Sequence, residues 1–165
     1  MYLINETEVA KKDFQLPVEN LAVWRGDGVF EALTIHDHFP FGIDNHIERL
    51  KQSCKKQLFE NVDFSLIKNN ILKIASQYES GYVRILILRN DSDEDFTIYS
   101  FYQQPINIPE NYSLESQPAP WHPGGDFEVN RDNIIGSKST SYAYNIKQTR
   151  DAIRNGFSDA LLLSN

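Results

Sequence analysis

The sequence predicts an α+β fold, and three observations carry that expectation. Residues 29–35, 82–89 and 96–102 are dense in branched and aromatic side chains, the composition of strands that face a core. Two segments between the first and second of these place apolar residues three and four apart, the spacing of one helix face. Pro105, Pro109, Pro118, Pro120 and Pro123 then force extended backbone and remove ladder donors, which sets this region apart from a later helix and strand.

Val29 to Ile35 reads as a strand, and the polar turn His36-Asp37-His38 folds it back on Phe39-Pro40-Phe41 as a hairpin. The first helix is expected to start near Asp44 and Asn45, whose side chains can accept from unpaired N–H groups, and to bury Ile47, Leu50, Cys54 and Leu58. The second is capped by Asp63 or Ser65, carries Ile67, Ile71, Ile74 and Ala75 inward, and ends near Ser80-Gly81. Tyr82 to Arg89 and Phe96 to Tyr102 follow as an antiparallel pair around the acidic stretch from Asn90 to Asp95. Beyond the prolines come a loop with Gly136-Ser137-Lys138, a helix from about Ser141 to Asn155 closed by Gly156, and the strand Asp159 to Leu163. This divides the chain into a first domain at residues 1–110, a proline-rich linker at 111–126 and the opening of a second domain at 127–165. An apolar strand of that kind needs neighbours on both edges, so further residues or a covering partner are expected.

Charge and composition narrow the function classes. A formal charge of -7 with no cluster of Lys and Arg argues against a nucleic-acid partner, because phosphate backbones are held by basic patches. The start has no basic region followed by a long apolar run, and no segment approaches the roughly 20 apolar residues of a membrane span. A cytoplasmic protein without a membrane partner is expected. The single cysteine, Cys54, cannot form an internal disulfide or a cysteine metal cluster, which suits a reducing compartment.

Few residues advertise chemistry by themselves. His36 and His38 sit in a turn beside Asp37, while His46 and His122 have no sequence-local partners, so no metal is expected. Arg25-Gly26-Asp27 matches an adhesion tripeptide, a match too short to carry an argument. Lys138 stands among Ser137, Ser139, Thr140 and Ser141, and Arg49 flanks an apolar helix stripe. On local sequence alone each reads as an ordinary solvated or ion-paired side chain.

Order and spacing single them out. Arg25-Gly26-Asp27-Gly28-Val29-Phe30-Glu31, then His46-Ile47-Glu48-Arg49-Leu50, then Lys138-Ser139-Thr140-Ser141-Tyr142, then Gly156 to Leu163 follow one another as in class IV aminotransferases and aminodeoxychorismate lyases. That family has a G-D-G-V-F-E strand start, an H-x-x-R-L helix, a K-[ST]-x-x-Y segment and an A-x-E-A-L-L-L-like strand. The chain resembles it over nearly all of its length. The resemblance implies the two-layer N-terminal α/β domain of a fold-type IV pyridoxal-phosphate enzyme, followed by the first part of its C-terminal domain. It also implies a homodimer, pyridoxal 5'-phosphate as cofactor, and amino acids or amino-carboxylates as substrates.

By the same resemblance, Lys138 is the Schiff-base lysine and Arg49 binds the cofactor phosphate. An amine must be neutral to attack a carbonyl carbon, and lysine's pKa falls readily on desolvation. Arginine keeps its charge and offers a planar donor fork to phosphate oxygens. Tyr142, four residues after the lysine and so about one helical turn on, corresponds to the tyrosine that hydrogen-bonds the cofactor's phenolic oxygen. Phe30, Glu31 and Arg84 lie on strands that in relatives face the substrate. Ser141 stands where many relatives have asparagine, and Ile146-Lys147 replaces a pair of small residues. The family's glutamate for the pyridine nitrogen and its backbone phosphate donors fall beyond Asn165. The lysine, once released, moves the substrate's α-proton, and the outcome is either amino transfer or loss of a β-leaving group. The alternative is a shortened, non-catalytic relative that serves as a dimeric or partner-binding module.

Overall fold

The computed structural model describes residues 1–92, 95–107, 109–119 and 136–163. Pro120, Pro123, His122 and the end of the expected linker lie outside the described residues. Two compact units result, Met1–Ile106 with Ser137–Ser141, and Asn107–Gly136 with Tyr142–Asn165. Lys138, placed by the sequence in the second domain, packs with the first unit, because its backbone is hydrogen-bonded to a strand and a helix there.

In chain order the first unit has β1 (Tyr2–Ile4), β2 (Thr7–Glu8), a 3-10 turn (Lys11–Asp13), a short α1 (Leu21–Trp24), β3 (Gly28–His36) and β4 (Phe39–Pro40). There follow α2 (Ile43–Lys56), α3 (Phe64–Ala75), β5 (Ser80–Arg89) and β6 (Phe96–Gln103). The strands form one antiparallel sheet in the order β2-β1-β6-β5-β3-β4. Strand alternation sorts its side chains: Val29, Leu33, Ile35, Val83, Ile85, Ile87 and Ile98 point to one face. There they meet Ile47, Leu50, Ile67, Ile71 and Ile74 of α2 and α3 in a single core. The β3–β4 hairpin closes through Asp37 and His38, both at positive φ (48° and 63°), as in the two-residue turn whose twist suits a hairpin.

Some local expectations shift. The cap of α2 is Gly42, at φ 63°, with no side-chain hydrogen bond, and Asp44 lies inside the first turn instead. There its charge faces the positive end of the helix dipole. Leu58 falls beyond the end of α2 at φ 57° and is 75% exposed, so it leaves the core face on which helical spacing put it. Asp63 does cap α3, accepting from the N–H groups of Ser65 (2.9 Å) and Leu66 (3.0 Å). That helix stops at Ala75 and not near Gly81, because Ser80 and Gly81 are recruited into β5 opposite His36 and Ile35.

In the second unit, β7 (Leu114–Pro118) pairs in parallel with β8 (Asp159–Leu163), and α4 (Ala143–Arg154) lies between them in sequence. Residues 114–118 are therefore a strand inside the stretch read as a linker. Pro118 is tolerated because it ends the strand, and the Ala119 N–H donates to the Leu163 carbonyl at 2.8 Å. α4 starts two residues later than expected, and Ala152 is its fully buried contact.

Candidate active site

The motif around Gly26 to Glu31 becomes intelligible once its neighbours are in place. Residues 138–140 lie along the first half of β3 as an extended segment. The Phe30 N–H donates to the Lys138 carbonyl (2.9 Å) and the Thr140 N–H to the Gly28 carbonyl (2.8 Å), with Val29 paired to Ser139. On the other side, the Lys138 N–H donates to Ser53 Oγ of α2 at 3.0 Å, and Gln57 Nε2 donates to Ser137 Oγ at 3.1 Å. The lysine backbone is thus held by strand and helix together.

The two glycines make room for this. Gly26 has φ +69°, and a Cβ there would lie 2.4 Å from Ser141 Oγ. At Gly28 a Cβ would lie 3.0 Å from the Ile87 carbonyl oxygen and 3.1 Å from Thr140 Oγ1. Thr140 and Ser141 hydroxyls also donate to the Gly26 carbonyl, at 2.8 and 3.1 Å. Gly26→Ala therefore meets both a left-handed backbone, which costs an L-residue about 1–2 kcal/mol, and a displaced Ser141. The expected result is faster hydrogen exchange across residues 138–141, with β5 and β6 protection retained; unchanged exchange there would contradict this account.

Asp27 and Glu31 each fix an arginine. Arg89, 4% exposed at the end of β5, donates to Asp27 Oδ2 (3.0 Å) and to the Gln57 carbonyl (2.8 Å), and its guanidinium lies 4.1 Å from the Phe59 ring centroid. It ties the C-terminal end of α2, where a cation is favoured, to the glycine motif. Glu31, 1% exposed, accepts from Arg49 Nε (2.5 Å) and Nη2 (2.6 Å) and meets His46 Nδ1 at 2.8 Å. Burial alone raises the Glu31 pKa, but the hydrogen bonds from Arg49 and His46 outweigh it and leave the carboxyl below its ordinary 4.5. His46, which the sequence left without a partner, therefore has one.

A carboxyl with a lowered folded-state pKa stabilises the fold above its unfolded value, and that contribution is lost as pH falls through the folded value. Denaturant midpoints should accordingly drop below pH 4.5 in the native chain. Glu31→Gln is expected to flatten that part of the profile, and an identical profile in the variant would contradict the assignment.

The face of the sheet away from α2 and α3 carries the other candidates. Register sets Ala32 opposite Arg84 and Arg84 opposite Phe101, with Phe30 opposite Leu86 and Leu86 opposite Tyr99. The Lys138 ammonium lies 4.2 Å from the centroid of the Phe30 ring, and Arg84 Nε donates to Gln103 Oε1 at 2.7 Å. Phe30 and Arg84 therefore share this face with the lysine amine. Glu31 does not: alternation turns it inward, so it drops from the substrate-facing set and becomes the anchor of Arg49. Tyr142 is the residue before α4 in the second unit, 36% exposed. The segment from Lys138 is extended and the helix begins only at Ala143, so the one-helical-turn spacing between lysine and tyrosine does not hold.

Sequence reasoning quoted Asp27 and His46 in its motifs without giving them a role, and did not single out Arg89, Ser53 and Gln57. A signal for the last two was present: Arg49, Ser53 and Gln57 recur every four residues, a polar line along one helix face.

Residues 28–165 match the family model described as amino-transferase class IV, and the chain belongs to that family. A Methanocaldococcus jannaschii protein, provisionally named a branched-chain-amino-acid aminotransferase, is 27% identical over 96 residues, which cover 54% of this chain and 32% of that protein. A hypothetical aminotransferase from Mycobacterium tuberculosis, solved in a PLP-bound form, superimposes with a TM-score of 0.84 at 22% identity, covering 100% of this chain and 62% of that one. The 4-amino-4-deoxychorismate lyase from Pseudomonas aeruginosa gives 0.72 at 14% identity, over 99% and 61% of the respective chains. The fold is thus the N-terminal domain of fold-type IV aminotransferases with the first part of the next domain, and the chain spans under two thirds of these relatives.

Proposed function

We propose that this chain carries the cofactor lysine and the phosphate-binding arginine of a pyridoxal-phosphate enzyme acting on amino acids or related amino-carboxylates, by amino transfer or β-elimination. The observation that supports it most is the pinning of Lys138 between β3 and α2, on the same helix that carries Arg49 one turn before Ser53. The donor set fits the cofactor's chemistry: a primary amine for an aldehyde, and a guanidinium whose side chain is 51% exposed for a phosphate.

When bound, pyridoxal 5'-phosphate supplies an aldehyde that condenses with an amine, with loss of water, and a pyridine ring that takes up the electron pair left on a substrate α-carbon. The residues do the rest. Lys138 Nζ would hold the cofactor and, once free, would take the proton from the substrate's α-carbon and pass it to the carbon that gains it in amino transfer, or to the leaving group in β-elimination. Arg49 holds the phosphate, with Glu31 and His46 fixing its guanidinium. Phe30 walls the open sheet face and excludes water from beside the amine, while Arg84 offers a cation for a substrate carboxylate on that same face. Tyr142 is assigned to the cofactor's phenolic oxygen on family likeness. A cytoplasmic homodimer with small-molecule partners completes the reading, supported by family membership and the single cysteine. Among the described residues no helix is long and apolar enough to cross a membrane.

The test is direct. Protein incubated with pyridoxal 5'-phosphate and reduced with borohydride is expected to carry one cofactor mass on the peptide containing Lys138, and none in Lys138→Ala. Labelling spread over surface lysines, with the Lys138 peptide unmarked, would overturn the proposal.

A further inference from the structure

We propose that Ser53 and Gln57 are positioning residues that hold the lysine segment against α2 at a fixed place relative to Arg49. The inference rests on the functional reading above, since it concerns how Lys138 is presented. Ser53 is 1% exposed, a hydroxyl on the buried side of α2 between Leu50 and Cys54. A buried hydroxyl among apolar neighbours costs free energy unless it is hydrogen-bonded, and here it accepts from the Lys138 N–H at 3.0 Å. Four residues on, at the C-terminal cap of α2, the Gln57 amide donates to Ser137 Oγ at 3.1 Å, so the helix and its cap grip two successive residues of the segment.

The same row of the helix begins with Arg49, itself fixed by Glu31. Ser53 is one stiff helical turn from Arg49, an advance of roughly 6 Å, so the site of the arginine and the site of the lysine backbone cannot drift independently. The end of the helix is braced as well, because Arg89 donates to the carbonyl of Gln57 itself (2.8 Å) while holding Asp27 of the glycine motif. β3 supplies the opposite wall through the Phe30 N–H on the Lys138 carbonyl. Without Ser53 the segment keeps its strand side and the Gln57 bond to Ser137, but the Lys138 backbone loses its own tie to α2.

The prediction separates placement of the lysine from binding of the phosphate. Three quantities are measured on the full chain: hydrogen exchange over residues 137–140, the rate at which borohydride-trappable cofactor appears on Lys138, and the affinity for pyridoxamine 5'-phosphate, which has no aldehyde to react. In Ser53→Ala the exchange is expected to accelerate and the trapping rate to fall roughly tenfold, the cost of one unsatisfied buried donor, while pyridoxamine 5'-phosphate affinity stays within about twofold. Ser53→Thr, which keeps the hydroxyl, is expected to restore the rate. Gln57→Ala, at a half-buried site, gives the same pattern more weakly and decides the matter should Ser53→Ala not fold.

A Ser53→Ala trapping rate equal to that of the native chain overturns the inference and leaves the functional reading intact. Parallel losses of trapping and pyridoxamine 5'-phosphate affinity also overturn it, because they mark a general loss of structure. Absence of any Lys138 adduct in the native chain overturns the functional reading itself, and this inference with it.

Discussion

Arg49→Ala is expected to lower affinity for pyridoxamine 5'-phosphate by about 10- to 150-fold, the range for losing a hydrogen bond to a charged group. The same substitution is expected to destabilise the fold. Glu31 is 1% exposed and would keep the His46 imidazole at 2.8 Å but no guanidinium. Removing one partner of a fully buried ion pair costs about 3–5 kcal/mol. The arginine side chain is half-exposed, so solvent screens part of the interaction and about 2 kcal/mol is the expected loss. Arg49→Lys keeps the charge but not the two parallel bonds to Glu31, and should recover affinity only in part. Titration calorimetry gives the first quantity and urea midpoints the second. Native affinity in Arg49→Ala would remove the arginine from the phosphate site.

Ile85→Ala is expected to cost about 2–5 kcal/mol, a large share of the about 5–15 kcal/mol that a domain has. Ile85 is wholly buried on β5, the strand flanked by β3 and β6, and it faces the core shared with α2 and α3. Nothing small can collapse into the space without moving a strand hydrogen-bonded on both edges. Ile85→Val should cost only about 0.5–1.5 kcal/mol. Leu58→Ala, at a residue 75% exposed, should fall within about 0.5 kcal/mol of the native chain. Urea denaturation of the three variants gives the ordering, and a Leu58→Ala loss as large as that of Ile85→Ala would contradict the placement of the core.

Much of the fold was legible because the relevant signals are local. Ile67, Ile71, Ile74 and Ala75 are spaced to share one helix face, and all four are buried. Tyr82 to Arg89 and Phe96 to Tyr102 are dense in strand formers, and they pair. Leu58 escaped because helical spacing continues on paper past the point where the backbone turns to positive φ. Ser80 and Gly81 read as punctuation because glycine ends helices, whereas the hairpin partner across the sheet had already claimed them as strand. Residues 114–118 looked like linker because proline cannot donate, yet a strand's last residue does not need to.

Of the candidate site, the sequence by itself determined which residue types stand in which order: two glycines around Asp27, a strand glutamate, a helix arginine and a lysine among hydroxyls. Order suffices for the family, because a family is defined by which residue types follow one another along the chain. Tertiary structure alone decided which groups touch. Glu31 turned from a substrate candidate into the anchor of Arg49, His46 gained a carboxylate, and Ser53 became the acceptor for the backbone of Lys138, 85 residues away in sequence. The physical reason is that strand alternation and helix phase assign each side chain a face, but only the packing of one element on another determines what that face meets.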